Sequence, residues 1–134
     1  MKSSPAWPQS PACDETRPCI LVVEDELLIR LMLSDSLRDE GYHVIEACNA
    51  DEALTLLEAA VPDLIVSDVR MPGSLDGLGL LAVVRENNPV LPVVITSAHL
   101  PSNRALVEGA TQFIRKPYSM GLVMEAVRLV LEAR

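Results

Sequence analysis

Three acids, two hydroxyls and a lysine stand at the ends of short apolar runs. Glu24 and Asp25 follow CILVV (19–23), Asp68 closes DLIVSD (63–68), Thr96 and Ser97 close LPVVITS (91–97), and Lys116 follows TQFIR (111–115). If the runs lie side by side, the carboxylates crowd together, which is costly unless a cation compensates. A hard divalent ion with oxygen ligands answers that need, and Mg²⁺ suits a site with few carboxylates and several waters. Lys116 adds positive charge and Thr96 a hydroxyl donor. Together these are the parts that stabilise a transferring phosphoryl group. Each residue alone has a plainer reading: acids that cap a following helix, a surface lysine, a satisfied strand-end threonine. Their common placement at successive strand ends is harder to explain by capping.

The elements that must position them alternate along the chain. Strands are expected at 19–23, 43–47, 63–68, 91–97 and 111–115, and helices at 26–40, 50–60, 76–87, 101–108 and 119–133. Ile29, Met32, Leu33 and Leu37 have helical spacing, and Gly41 stops that helix. Asn49 followed by Glu52 forms a capping-box-like start, and Ser119 is a candidate cap. The strands read as continuously apolar, as expected when both sheet faces are covered. Right-handed crossovers then give an α/β fold, a doubly wound five-stranded parallel sheet flanked by five helices. In such sheets ligands bind beyond the carboxyl ends of the strands, at the topological switch point. No glycine-rich phosphate loop follows a strand, which disfavours dinucleotide or nucleoside triphosphate binding.

The chain has 134 residues, 49% of them hydrophobic, with one Trp, two Tyr and one Phe, so an aliphatic core of one domain is expected. Eleven basic and nineteen acidic residues give a net charge of −8, which argues against nucleic acid or an anionic membrane surface as partner. Cys13, Cys19 and Cys48 read as reduced thiols of a cytoplasmic protein. No apolar run approaches the ~18 residues of a membrane span, and MKSSPAWPQSPACDETRP has no signal-peptide core. Residues 1–17 read as a disordered leader and 18–134 as the domain. Trp7 is expected to be an unstructured tail residue, with a docking anchor as the alternative.

The motifs ILVVEDE (20–26), DLIVSDVRMP (63–72), DG (76–77), VVITSA (93–98) and GATQFIRKPY (109–118) occur in order from about residue 18 to the C-terminus. In these the chain resembles the response regulator receiver family, which includes the chemotaxis response regulator, with its flavodoxin-like fold. The resemblance implies that Asp68 is the phosphoacceptor for a phosphohistidine. It implies that Asp25, Asp68 and the Arg70 backbone carbonyl bind Mg²⁺, with Glu24 acting through a metal-bound water. Lys116 would contact the phosphoryl oxygens. Thr96 would hydrogen-bond the group and move toward it, with Phe113 turning inward as the aromatic switch. A cis Lys116–Pro117 peptide is expected, along with slow self-dephosphorylation but no enzyme activity proper.

This chain departs from the family pattern in four places. Gly73, Ser74 and Leu75 separate Met71-Pro72 from Asp76-Gly77, where two residues are commoner. The segment between Thr96 and Gly109 is short, so a stubby helix is expected. Phe113 replaces a frequent Tyr, and Glu24 a frequent Asp.

The resemblance also implies partners: a sensor histidine kinase or histidine phosphotransfer protein, then an unknown downstream protein or a second receiver as homodimer. The chain ends after its last helix, so output through protein contacts is expected. Leu27, Leu28 and Leu31 are candidates for kinase docking. Leu122, Met124 and Leu129 are candidates for output or dimer contacts, partly outside a buried stripe of Val123, Val127 and Val130. With the helical phase shifted, both sets would instead be core. A phospho-switch is the leading reading, and a phosphoryl shuttle or sink in a relay is the alternative. An aspartyl-nucleophile hydrolase is disfavoured, because Arg70 stands where such an enzyme needs a second acid. An unphosphorylated adaptor is disfavoured by the intact set of site residues.

Overall fold

A strand's pleat sends alternate side chains to opposite faces of its sheet, and that rule sorts the core. The computed structural model describes Trp7 and residues 17–134. The described elements are β1 (Cys19–Val23), α1 (Leu27–Asp39), β2 (His43–Ala47), α2 (Ala50–Ala59), β3 (Leu64–Asp68), α3 (Gly77–Asn87), β4 (Val93–Ser97), α4 (Ser102–Val107), β5 (Gln112–Arg115) and α5 (Met120–Ala133). The strands form one parallel sheet in the order β2-β1-β3-β4-β5, the doubly wound α/β arrangement the alternation predicts. Leu21, Val23, Ile65, Val93 and Ile95 face a cluster completed by α2, α3 and α4. Ile20, Val22, Leu64, Val66, Val94 and Ile114 face a second cluster completed by Leu33 and Leu37 of α1 and by Val123, Val127 and Val130 of α5.

β1, β3 and β4 are buried along their whole length. The expectation of continuous burial fails at the edges. β2 and β5 have only one neighbour each and leave residues such as His43 and Gln112 exposed. Pro92 falls just outside β4, where its carbonyl accepts from the Ile65 N–H at 3.0 Å. A residue without an N–H can still serve the ladder there.

Local chemistry sets the helix ends. Asn49 accepts from the Glu52 N–H at 2.7 Å, while the Glu52 carboxylate accepts from the Cys48 N–H at 2.7 Å. Ser119 caps α5 through the Leu122 N–H at 3.1 Å. Gly41 takes φ +99° after α1, a left-handed conformation that suits glycine at a helix stop. α4 is only six residues long, as the short segment predicts.

One helical residue falls differently from expectation: Met32 is 55% exposed rather than part of the core stripe. Met124 is partly buried against the α5 cluster. Leu27, Leu28, Leu31, Leu122 and Leu129 are exposed. Trp7 contradicts the tail reading: it is 5% exposed and packs within the α2–α4 cluster. The rest of the expected leader, residues 1–6 and 8–16, lies outside the described residues, as does Cys13. Cys19 is buried, and Cys48 is an exposed free thiol.

Candidate functional site

The chain moves outward in both directions from β1 and β3, so the sheet's switch point lies between their carboxyl ends. The register sets the rim: Val23 pairs with Ser67, Asp68 with Thr96, and Ser97 with Arg115. Glu24, Asp25 and Asp68 therefore leave adjacent strands at one level. One carboxylate oxygen from each lies within 4.8 Å of the others. Glu24 and Asp68 are buried, and Asp25 is exposed.

The acids do more than cap the following helix. Glu26, the residue before α1, makes no side-chain capping bond. Glu24 accepts from the Glu26 N–H at 3.2 Å and from the Lys116 ammonium at 3.2 Å. Its backbone carbonyl accepts from Arg30 at 2.8 Å, which fixes the turn out of β1. Lys116 also stands 3.3 Å from Asp68. The other Asp68 oxygen accepts from the Val69 N–H at 2.9 Å.

Burial pushes the Glu24 carboxyl up, and repulsion from Asp68 adds to it, against the Glu26 N–H and Lys116. Burial likewise raises Asp68, opposed by Lys116 and the Val69 N–H and reinforced by Asp25. Burial pulls the Lys116 ammonium down, but Asp68 and Glu24 more than offset this and leave it raised. One ammonium thus serves two buried carboxylates beside a third acid. That charge deficit fits a hard cation bound by oxygen ligands.

Lys116 is held at its backbone, where its N–H donates to the Ser97 carbonyl at 3.0 Å, and the Lys116–Pro117 peptide is cis as expected. Thr96 is 1% exposed at the end of β4, and its carbonyl accepts from the Val69 N–H at 3.1 Å. Ser97 accepts from the N–H groups of His99 and Leu100, shaping the loop into α4. Arg70 is exposed beside Asp68. Asp25, Asp68, Arg70, Ala98, His99 and Lys116 line a cleft of about 230 Å³. Phe113 is half-buried against the α2–α4 cluster, one strand away from Thr96, with the Arg115 guanidinium 5.4 Å above its ring. Arg115 also donates to the Leu100 carbonyl at 3.0 Å, joining β5 to the β4–α4 loop.

The loop with the additional residue is anchored. The Ser74 hydroxyl donates to Asp51 at 3.1 Å, Leu75 packs against the core, and Asp76 caps α3 through the Gly79 N–H at 2.8 Å.

Sequence reasoning missed two features of the site. Gly77 lies so close to β3 that an added Cβ would meet the Asp68 carbonyl and the Val69 Cα. The DG motif marked the position without revealing this contact. An apolar groove of about 400 Å³ adjoins Lys116, lined by Ile29, Met32, Ala98, Pro117, Tyr118 and Met120. The Tyr118 hydroxyl is buried at this place without a hydrogen-bond partner among the described residues, and burial pushes its pKa up to about 12. Residues so distant in sequence give no local signal of a shared groove.

Comparison with known proteins gives a consistent result. Residues 20–128 match the response regulator receiver domain family. The chain is 37% identical over 120 residues to the DNA-binding transcriptional regulator NtrC of Salmonella typhimurium, covering 87% of this chain and 25% of that protein. It is 36% identical over 118 residues to the transcriptional regulatory protein PdtaR of Mycobacterium tuberculosis, covering 84% of this chain and 56% of that one. The chain thus spans between a quarter and just over half of these relatives. Among solved structures, the receiver domain of NtrX from Brucella abortus superposes with a TM-score of 0.81 at 37% identity, covering 86% of this chain and 99% of that one. No helix among the described residues is long and apolar enough to cross a membrane.

Proposed function

Since the chain belongs to the response regulator receiver family of two-component signalling, we propose that Asp68 accepts a phosphoryl group from a phosphohistidine and thereby switches a protein-binding surface. The observation that carries this reading is the Lys116 ammonium between Asp68 and Glu24, with Asp25 in the same acidic cluster at the switch point. An Asp68 carboxylate oxygen forms a bond to phosphorus as the phosphorus–nitrogen bond breaks, and the imidazole leaves with the bonding pair. The product is an acyl phosphate on Asp68.

Asp25, Asp68 and the Arg70 carbonyl would hold Mg²⁺, with Glu24 acting through water. When bound, the ion supplies the positive charge that the acidic rim lacks toward the phosphoryl oxygens. Lys116, already held at its backbone, donates to the same oxygens. Thr96, level with Asp68 in the ladder, hydrogen-bonds the phosphoryl group and moves toward it. A shift of Thr96 frees space on the β5 side, and Phe113 turns inward. The differential contact between Thr96 and the phosphoryl group is what biases the two states.

The donor is a sensor histidine kinase or histidine phosphotransfer protein. Leu27, Leu28 and Leu31 are exposed on α1, which also lends Ile29 and Met32 to the apolar groove beside Lys116. Leu122 and Leu129 on α5 are exposed for a downstream protein or a second receiver.

The test is transfer of label from a histidine-phosphorylated donor domain, with and without a chelator of divalent ions. Label should reach the wild type, depend on the ion and be absent from Asp68→Asn. Equal labelling of Asp68→Asn would overturn the assignment.

A further inference from the structure

The chain's single tryptophan lies upstream of the span, residues 20–128, that matches the family. A receiver core should therefore be complete without it. Yet Trp7 is 5% exposed and belongs to the same apolar cluster as Leu57, Val61, Leu81 and Leu91. The rest of that cluster's large side chains are mostly aliphatic, and a buried indole removes far more apolar surface from water than any of them.

We propose that Trp7 is an anchor in cis: its ring fills a socket on the α2–α4 side of its own domain and contributes to the stability of the fold. Three observations favour this occupant. The ring already sits in the cluster. The stretch from Trp7 to Arg17 can reach at most ~36 Å when extended, and a five-stranded sheet is roughly 19 Å across, so the tether reaches that face from its own β1. Pro8 follows Trp7 directly, which confines Trp7 to extended backbone and reduces the entropy lost on docking. The anchor engages the sheet face opposite α1 and α5, so it leaves the exposed Leu27, Leu28 and Leu122 uncovered. The assignment does not depend on phosphorylation of Asp68.

Because Trp7 is the only tryptophan, its fluorescence reports on this contact alone. In the full chain at concentrations where sedimentation shows a monomer, acrylamide should quench the emission several-fold less than in the urea-unfolded chain, and the emission should be blue-shifted. Trp7→Ala should lower the thermal midpoint by roughly 5–10 °C, with Trp7→Phe in between. Quenching of the folded monomer as efficient as that of the unfolded chain would overturn the proposal, even if Trp7→Ala could not be purified. So would an unchanged midpoint for Trp7→Ala. Shielding that appears only with a concentration-dependent dimer would also overturn it, because the socket would then be filled by a second copy.

Discussion

The backbone of Gly77 lies against that of Asp68 so closely that a methyl group at residue 77 would strike the Asp68 carbonyl oxygen. The Gly77 N–H also donates to the Val69 carbonyl at 2.8 Å, so α3 begins directly against the end of β3. Alanine is ordinarily favoured over glycine in a helix by about 1 kcal/mol. Here the obstacle is backbone, which cannot rotate away. Gly77→Ala should therefore destabilise the fold by about 1–3 kcal/mol and lower the rate of Asp68 phosphorylation. Urea unfolding of the variant checks the first effect, and a stabilised Gly77→Ala would contradict the contact.

Burial pushes both the Asp68 and the Glu24 carboxyl above the ordinary range. The folded state therefore binds their protons more tightly than the unfolded state does. Their contribution to stability is complete below the ordinary carboxyl value and is lost as pH rises through the raised folded values. Asp68→Asn removes one of these ionisations, so its stability relative to the wild type should increase as pH rises from the ordinary carboxyl range toward neutrality. Urea midpoints of the two proteins across that range provide the measurement, and a constant difference would contradict the burial argument.

Magnesium should work in the opposite sense. At about 100 times its dissociation constant, an ion that binds only the folded state adds about 2.7 kcal/mol. The wild type should gain on that scale at neutral pH, and Asp68→Asn, having lost one carboxylate, should gain much less. Thermal midpoints measured with Mg²⁺ and with chelator compare the two. An equal gain in both would place the ion elsewhere.

Lys116 touches two carboxylates, at 3.2 Å and 3.3 Å. Lys116→Gln should cost about 2–4 kcal/mol at neutral pH, since it leaves mostly buried acids without their counter-charge. The cost should shrink when Asp68→Asn is also present, because one of the stranded charges is then gone. A double-mutant cycle in urea measures that coupling, and strict additivity would mean that Lys116 and Asp68 do not interact.

Leu28 is 74% exposed on α1. Leu28→Glu should slow transfer from a phosphorylated histidine donor by about tenfold or more, the effect of losing on the order of 1.4 kcal/mol of docking. Phosphorylation by a small molecule should be unaffected. Parallel loss of both activities would assign the residue to the fold rather than to docking.

Much of the site was legible because its residues end their strands, and a strand end is visible in a linear sequence as an apolar run followed by polar chemistry. Asp68, Thr96 and Lys116 could be placed on one rim from that rule together with the parallel order of the strands. Tertiary relationships were harder to read. β2 and β5 look as apolar as the central strands in part, but their edge positions expose them. Met32 fits a helical core stripe by spacing, yet α1 turns it toward the open groove beside Tyr118. Gly77 has a role that depends on how closely α3 approaches β3. Trp7 was hardest of all: prolines and small residues around it suggest a tail, and only the folded domain shows an apolar cluster able to receive it.

The central claim is that Asp68 is the phosphoacceptor and that a divalent cation is required. The most direct measurement is the intact-protein mass after incubation with acetyl phosphate and Mg²⁺, with chelator as one control and Asp68→Asn as the other. A single phosphoryl adduct should form on the wild type with Mg²⁺, and should be missing with chelator and on Asp68→Asn. An adduct that persists on Asp68→Asn or without the ion would contradict the account. So would a wild type that remains unmodified by both acetyl phosphate and a phosphohistidine donor.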